Sequence, residues 1–362
     1  MNIEERVELV RRNTVEIITP TELRELLEKK NRPTAYWGFE PSGLMHLGTG
    51  LLCGYKILDL VEAGFDFTVL LADWHAWINN KFGGDLKAIR LCGEYFIQCF
   101  TALGLTSDRV RYIWVSDLVK DADYWEMVIT VAKNSSVSRL TRCLPIMGRS
   151  LDAKELEVAS LIYPCMQAAD IFKLRIDCAC AGIDQRKAHM LARDVSRKLG
   201  YEKPMSVHTP LLLGLQGSKG RIDARFDEDE ALNLQISAKM SKSLPEGCVY
   251  IHDSPEEIRA KLKKAYCPPR QVEGNPVLEI AKYIIFARGH SLQIERAQRY
   301  GGYLRFTSYS ELERAYVEGH LHPLDLKNSV AEALITILEP VREYFAKRSE
   351  ILEAIKKLEI TR

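Results

Sequence analysis

The chain has 362 residues, 46% of them hydrophobic and 27% charged, with 50 Lys plus Arg against 49 Asp plus Glu. That length exceeds the ~100 to 200 residues of a single domain, so two domains are expected, with ample material for a core. The net charge of +1 excludes a protein sheathed in positive potential, so any nucleic acid has to be met through local basic patches.

No apolar run reaches the ~18 residues of a membrane span, and the N-terminus MNIEERVELVRRN is charged and amphipathic rather than a signal peptide. No membrane partner is expected, and the location is expected to be cytoplasmic. The nine cysteines form no C-x-x-C pair and no H-E-x-x-H helix is present, so no protein-bound structural metal is expected.

Taken in order, Thr19-Pro20-Thr21-Glu22 has capping-box spacing with proline at the first helical position, which predicts a helix to about Lys30. Thr34 to Phe39 reads as a strand that breaks into a Gly/Pro/Ser turn and an H-x-G step, GFEPSGLMHLGTG, before a helix over Leu51 to Ala63. A strand, a turn and a helix N-terminus together present free backbone donors, a nucleotide-site candidate; a purely structural Gly-rich turn is the alternative. Asp66 to Ala72 is a continuous apolar run suited to a strand buried on both faces, and Asp73 and His75 sit just beyond it. Leu86 to Leu103 is helical, Val110 to Val115 a third strand and Tyr124 to Lys133 helical again. Residues 117–174 break the alternation as a helical insertion. Ile176 to Ala181 supplies a fourth strand, in which Cys178 and Cys180 share one face as core packing; Asp184 to Leu199 is helical, and Met205 to Thr209 is a fifth strand. The class is therefore α/β, a doubly wound parallel sheet of Rossmann type. The polar tract from Gln216 to Ser237, with DEDE at its centre, reads as a solvated surface insertion. A second capping box at Ser254 to Glu257 opens a domain with an almost wholly helical pattern. The expected organisation is a catalytic domain over 1–237, a loop and linker over 238–253, and an α-helical domain over 254–362.

Two motifs point to chemistry. Lys239-Met240-Ser241-Lys242-Ser243 places two ammonium groups and two hydroxyls on a loop, donors that can follow a polyphosphate as its charge moves. Tyr163, Gln167 and Asp170 stand at i, i+4 and i+7 on an otherwise apolar helical run, aligning a phenol, an amide and a carboxylate on one face. Burying that stripe without partners costs ~1 to 3 kcal/mol per group, so a polar ligand is expected against it, an exposed stripe being the alternative.

With His46-Leu47-Gly48-Thr49 in the place of a HIGH-like turn and KMSKS downstream, the sequence resembles the class I aminoacyl-tRNA synthetases. GFEPSG, YPCMQAADI, GIDQRKAHMLAR, DSPEEIRAKLKKAYCP and LHPLDLKN resemble segments of the tyrosyl-tRNA synthetases of archaeal and eukaryotic type, over residues 34–340. The resemblance implies tyrosine activation by ATP-Mg2+, with release of pyrophosphate, and transfer of tyrosine to tRNA(Tyr) by a homodimer that uses the insertion as its interface. It implies that Tyr36 and Asp170 read the substrate phenol, Tyr163 and Gln167 hold its α-amino group, and Gln185 contacts the bound tyrosine. Gly43, His46, Gly48, Asp184 and Lys239 to Ser243 would receive ATP, with His46, Lys239 and Lys242 as the catalytic donors. Arg186 and Lys187 would meet the acceptor stem; Tyr300, His322 and Asp325 would take the first anticodon base. The basic face of Arg259, Lys261, Lys263 and Lys264 suits phosphates, a solvated helix face being the alternative. Thr49 stands where many members carry a second histidine, and no role transfers to it. Tryptophanyl-tRNA synthetase shares the architecture, but an indole has no hydroxyl for Tyr36 and Asp170. A nucleotidylyltransferase would not need the anticodon-like domain, and a non-catalytic RNA-binding paralogue would not need both ATP motifs.

Overall fold

The computed structural model describes residues 1–106, 108–152, 156–217 and 222–358, apart from the side chain of Tyr300. α1 (Ile3–Arg11) and the three-residue β1 (Glu16–Ile18) precede α2 (Pro20–Lys29), which starts at the expected capping box: Thr19 caps the Glu22 amide and Glu22 caps that of Thr19. β2 (Thr34–Phe39) runs into the Gly/Pro/Ser turn, where Gly43 takes φ +124°, a conformation that only glycine adopts easily. The chain then enters α3 (Cys53–Glu62) through a π-helical turn over Gly48–Leu52. Gly50 is required there because a Cβ would lie 2.5 Å from Ile251 Cγ2.

β3 (Asp66–Leu71), α4 (Asp73–Ile78), α5 (Leu86–Ala102) and β4 (Val110–Trp114) follow. Helices α6 (Val115–Leu118), α7 (Ala122–Lys133), α8 (Val137–Thr141) and α9 (Val158–Lys173) fill the interval before β5 (Cys178–Gly182). α10 (Arg186–Val195) and β6 (Met205–Thr209) complete the sheet, in the order β1-β6-β5-β2-β3-β4. All pairings are parallel except β1 with β6. The order reverses between β2 and β5, so a crevice opens beyond their carboxyl ends, where doubly wound sheets bind ligands.

Two expectations change. The polar tract before KMSKS contains α11 (Glu230–Ala238), whose Ile236 is buried together with the upstream Phe226, and Asp227 pairs with Lys187 at 2.9 Å. Its apolar residues are too sparse to show a period in sequence, yet they seal one wall of the crevice. The C-terminal region is also not wholly helical. After α12 (Pro255–Lys264) and α13 (Pro276–Ile280) it contains a two-stranded antiparallel hairpin, β7 (Leu292–Ile294) with β8 (Leu304–Phe306). α14 (Tyr309–Val317), α15 (Pro323–Ile337), α16 (Glu339–Ala346) and α17 (Ser349–Lys357) follow. No helix among the described residues is long and apolar enough to cross a membrane.

Candidate active site

A cavity of about 660 Å³ occupies the crevice. Each strand end delivers something to it: β2 ends in Glu40 and the Ser42 turn, β3 in Ala72 and His75, β5 in Gly182, Asp184 and Gln185, and β6 in Thr209 and Pro210. α9 lies along one wall and carries Tyr163, Gln167 and Asp170 into it at helical spacing.

At the deep end, Tyr36 and Asp170 are both buried. Burial lifts the Tyr36 phenol well above its usual range, and the Asp170 carboxylate beside it adds to this. Asp170 is itself pushed up to about 8 by burial, a rise opposed by a hydrogen bond from Tyr124, whose hydroxyl lies 2.8 Å from Oδ1. His75 Nε2 lies 3.3 Å from Oδ2, close enough for attraction but off the hydrogen-bond line, and both its ring nitrogens are buried without a hydrogen bond. Burial holds this imidazole neutral, at about 3. Midway along, the Tyr163 hydroxyl meets Glu40, which also accepts from Asn79 Nδ2 at 2.9 Å and faces Lys81 at 3.6 Å. Gln167 Nε2 donates to Gln185 Oε1 at 3.3 Å, while the Gln185 amide donates to the Ile146 carbonyl.

The outer end carries the cations. His46 Nδ1 accepts from the Gly48 and Thr49 amides at 3.1 and 3.4 Å, which leaves the proton on Nε2, facing Thr49 Oγ1. Burial first, then Lys242 and Lys239, push His46 down to about 3, so it is a neutral N–H donor. Lys239 Nζ lies 2.6 Å from Asp184 Oδ2, and Lys242 Nζ donates to Ser42 Oγ at 3.0 Å while lying over the Phe96 ring. The KMSKS loop is anchored by main chain: Met240 N donates to Leu212 O, and beyond the loop Leu47 N donates to Val249 O and Ile251 N to Met45 O. The two motifs, two hundred residues apart in sequence, are thus stitched to each other.

Of the residues expected at the site, Tyr36, His46, Gly48, Tyr163, Gln167, Asp170, Asp184, Gln185 and Lys239 to Ser243 line this cavity. Gly43 does not; its amide is turned away to Cys92 Sγ, 3.3 Å distant, and its part is to shape the turn. Arg186 is held by Glu16 at 2.9 Å and Lys187 by Asp227, both off the cavity. His322 caps α15, its Nδ1 accepting from the Leu324 amide at 3.1 Å, and Asp325 lies in that helix's first turn. The side chain of Tyr300 is outside the described residues. The expected basic face of α12 is largely neutralised, since Arg259 pairs with Glu332, Lys261 with Asp253 and Lys264 with Glu246. Glu40, within GFEPSG, His75, just beyond β3, and Lys81 also line the cavity without having been assigned a role from the sequence, and Tyr124 backs Asp170 from behind the wall. Among the described residues no group of three or more His, Cys, Asp or Glu is arranged to hold a metal ion.

An H-x-G turn and a KMSKS loop facing each other across the switch point of a doubly wound sheet define the class, a class I aminoacyl-tRNA synthetase catalytic unit. A family model described as tRNA synthetases class I (W and Y) matches residues 28–220 and 232–339. The tyrosine-tRNA ligase of Sulfurisphaera tokodaii is 49% identical over 360 residues, 99% of this chain and 97% of that protein. The tyrosine-tRNA ligase of Aeropyrum pernix is 51% identical over 343 residues, 94% of this chain and 93% of its own. Among solved structures, tyrosyl-tRNA synthetase from Pyrococcus horikoshii, complexed with L-tyrosine, matches with a TM-score of 0.91 at 45% identity, over 98% of this chain and 100% of that one. The chain belongs to the tyrosine-tRNA ligase family.

Proposed function

We propose that this chain activates tyrosine with ATP to tyrosyl-adenylate and transfers the tyrosyl group to the terminal ribose of tRNA(Tyr). The observation that carries the reading is the cavity's polarity gradient: hydroxyl-reading groups at the buried end, a carboxylate and amides midway, and cations at the mouth. A tyrosine fits it lengthwise. Its phenol reaches Tyr36 and Asp170; its ammonium meets Tyr163, Gln167 and the negative charge of Glu40, with Gln185 beside them. Its carboxylate then faces the α-phosphate of ATP, which enters as its Mg2+ complex over Gly48 and His46, its ribose at Asp184.

Attack of the tyrosine carboxylate on the α-phosphate forms the mixed anhydride and expels pyrophosphate. No covalent enzyme intermediate is required, so catalysis rests on positioning and on donors aimed at developing phosphate charge. The neutral Nε2–H of His46 and the ammonium groups of Lys239 and Lys242 are those donors. A ribose hydroxyl of the tRNA terminus then attacks the activated carbonyl and AMP leaves. Arg186 and Lys187 lie at the start of α10, beside the strand ends where the RNA terminus enters, and exchange their present carboxylate partners for it. Tyr300 and His322 stack on the first anticodon base and Asp325 reads its edge, a stacked ring contributing ~1 to 3 kcal/mol. The exposed apolar side chains Ile129, Val137, Val158 and Ile162 on the helical insertion support a homodimer interface there. The protein acts in the cytoplasm.

The test is amino-acid-dependent ATP–pyrophosphate exchange followed by charging of tRNA(Tyr). Tyrosine supports exchange, tryptophan and phenylalanine do not; exchange driven better by tryptophan overturns the reading.

A further inference from the structure

Asp170 is an unusual specificity group, a carboxylate buried at the closed end of the cavity with no cation against it. The groups facing it are Tyr36 from β2, His75 from α4, Tyr124 from α7 and Tyr163 about two turns back on its own helix. His75 is held neutral by burial and brings no charge. Among the described residues, Tyr124 is the one side chain that donates a hydrogen bond to Asp170, at 2.8 Å to Oδ1. Tyr124 is wholly buried and does not line the cavity, whereas Asp170 and His75 do. Its hydroxyl therefore reaches the site through the carboxylate.

We propose that Tyr124, supplied by the helical insertion, is the positioning residue that sets the amino-acid specificity of this pocket. By occupying Oδ1 it fixes the carboxylate's rotation and leaves Oδ2 as the acceptor presented to the substrate hydroxyl. A carboxyl freed of that bond can turn, so neither oxygen is held where a phenol arrives. It also loses the one side chain among the described residues that donates to it. Phenylalanine makes no demand on Asp170, so its activation does not depend on Tyr124. The proposal thus ties the insertion to substrate choice as well as to architecture. It rests on the reading of the pocket as a tyrosine site.

The test is kcat/KM for tyrosine and for phenylalanine in ATP–pyrophosphate exchange, for the wild-type protein and Tyr124→Phe, with thermal unfolding to verify that the variant folds. Hydrogen bonds to charged groups have a magnitude that predicts a fall of about 10- to 100-fold for tyrosine, borne by its KM. The values for phenylalanine and the KM for ATP stay unchanged. Tyr124→Met, apolar and flexible enough to fill the same space, serves as a second variant and loses the same ratio. Equal losses for both amino acids, the mark of a merely structural role, overturn the proposal, as does an unchanged tyrosine-to-phenylalanine ratio. A wild-type protein that does not prefer tyrosine overturns the functional reading instead, so the two failures are distinguishable.

Discussion

Lys239 and Asp184 face each other at 2.6 Å, so the first lysine of KMSKS rests on the carboxylate proposed to take the ribose. If Asp184 takes the nucleoside hydroxyls as proposed, their binding releases the ammonium toward the phosphates, and charge stabilisation follows only when the nucleotide is in place. Lys239→Ala is expected to lower the rate of adenylate formation by about 10²- to 10³-fold while leaving the KM for tyrosine unchanged, as when one preorganised donor is lost. Single-turnover measurement with saturating ATP checks this, and a normal rate would remove Lys239 from the mechanism. At this scale the sequence made legible what recurs locally: five residues of KMSKS, and a phenol, an amide and a carboxylate at helical spacing on α9. It gave Tyr124 no mark and His75 a place just beyond a strand but no role, because neither stands in a pattern. They matter through one carboxylate, 46 residues from Tyr124 in sequence, that only the packing of α7 on α9 brings within reach.

Elements were legible where capping chemistry or a buried period specifies them. Thr19/Glu22 and Ser254/Glu257 form the expected capping boxes, and β2 and β6 run over the residues expected. β1 was not legible: three half-buried residues carry no period, and their strand state comes from pairing antiparallel to β6 at the sheet edge. That edge is secured by Arg193 of α10, which grips Glu22 of α2 through two bonds of 2.9 Å. Arg193 holds the Glu22 carboxyl below its ordinary value of 4.5. A depressed carboxylate stabilises the fold above its unfolded pKa, and the gain disappears as pH falls through the folded value. Glu22→Gln is therefore expected to lower Tm at pH 7, with the two proteins' Tm values converging as pH is taken below about 4. Scanning calorimetry across that range decides the point; a pH-independent Tm difference would contradict the ionic contribution.

Across the whole molecule, the loss of strand pattern near residue 250 suggests a boundary, yet the hydrophobic core does not stop there. One cluster of buried side chains runs from Val10 and Leu52 through Tyr95 to Ile258, Leu334 and Phe345, with the rings of Tyr95 and Phe345 5.8 Å apart. α5 of the sheet unit packs on α16 and α17. Composition records the change of secondary structure but not the shared core, since apolar residues look alike on either side of such a contact. The segment that joins the two, Cys248 to Asp253, is the one hydrogen-bonded to Met45 and Leu47 beside His46. The α-helical region is thereby fastened to the H-x-G turn and the KMSKS loop.

All of these levels bear on the pocket proposed to read a phenol at its closed end. The most direct measurement is the ratio of kcat/KM for tyrosine to that for phenylalanine in the wild-type protein and in Asp170→Ala. A site built to hydrogen-bond a hydroxyl rejects the analogue lacking it by about 10⁴- to 10⁵-fold, an interval the handling of tyrosine against phenylalanine by this enzyme type itself defines. The account predicts such a preference in the wild type and its collapse, or the loss of tyrosine activation altogether, in the variant. An Asp170→Ala protein that activates tyrosine with its selectivity intact would contradict it.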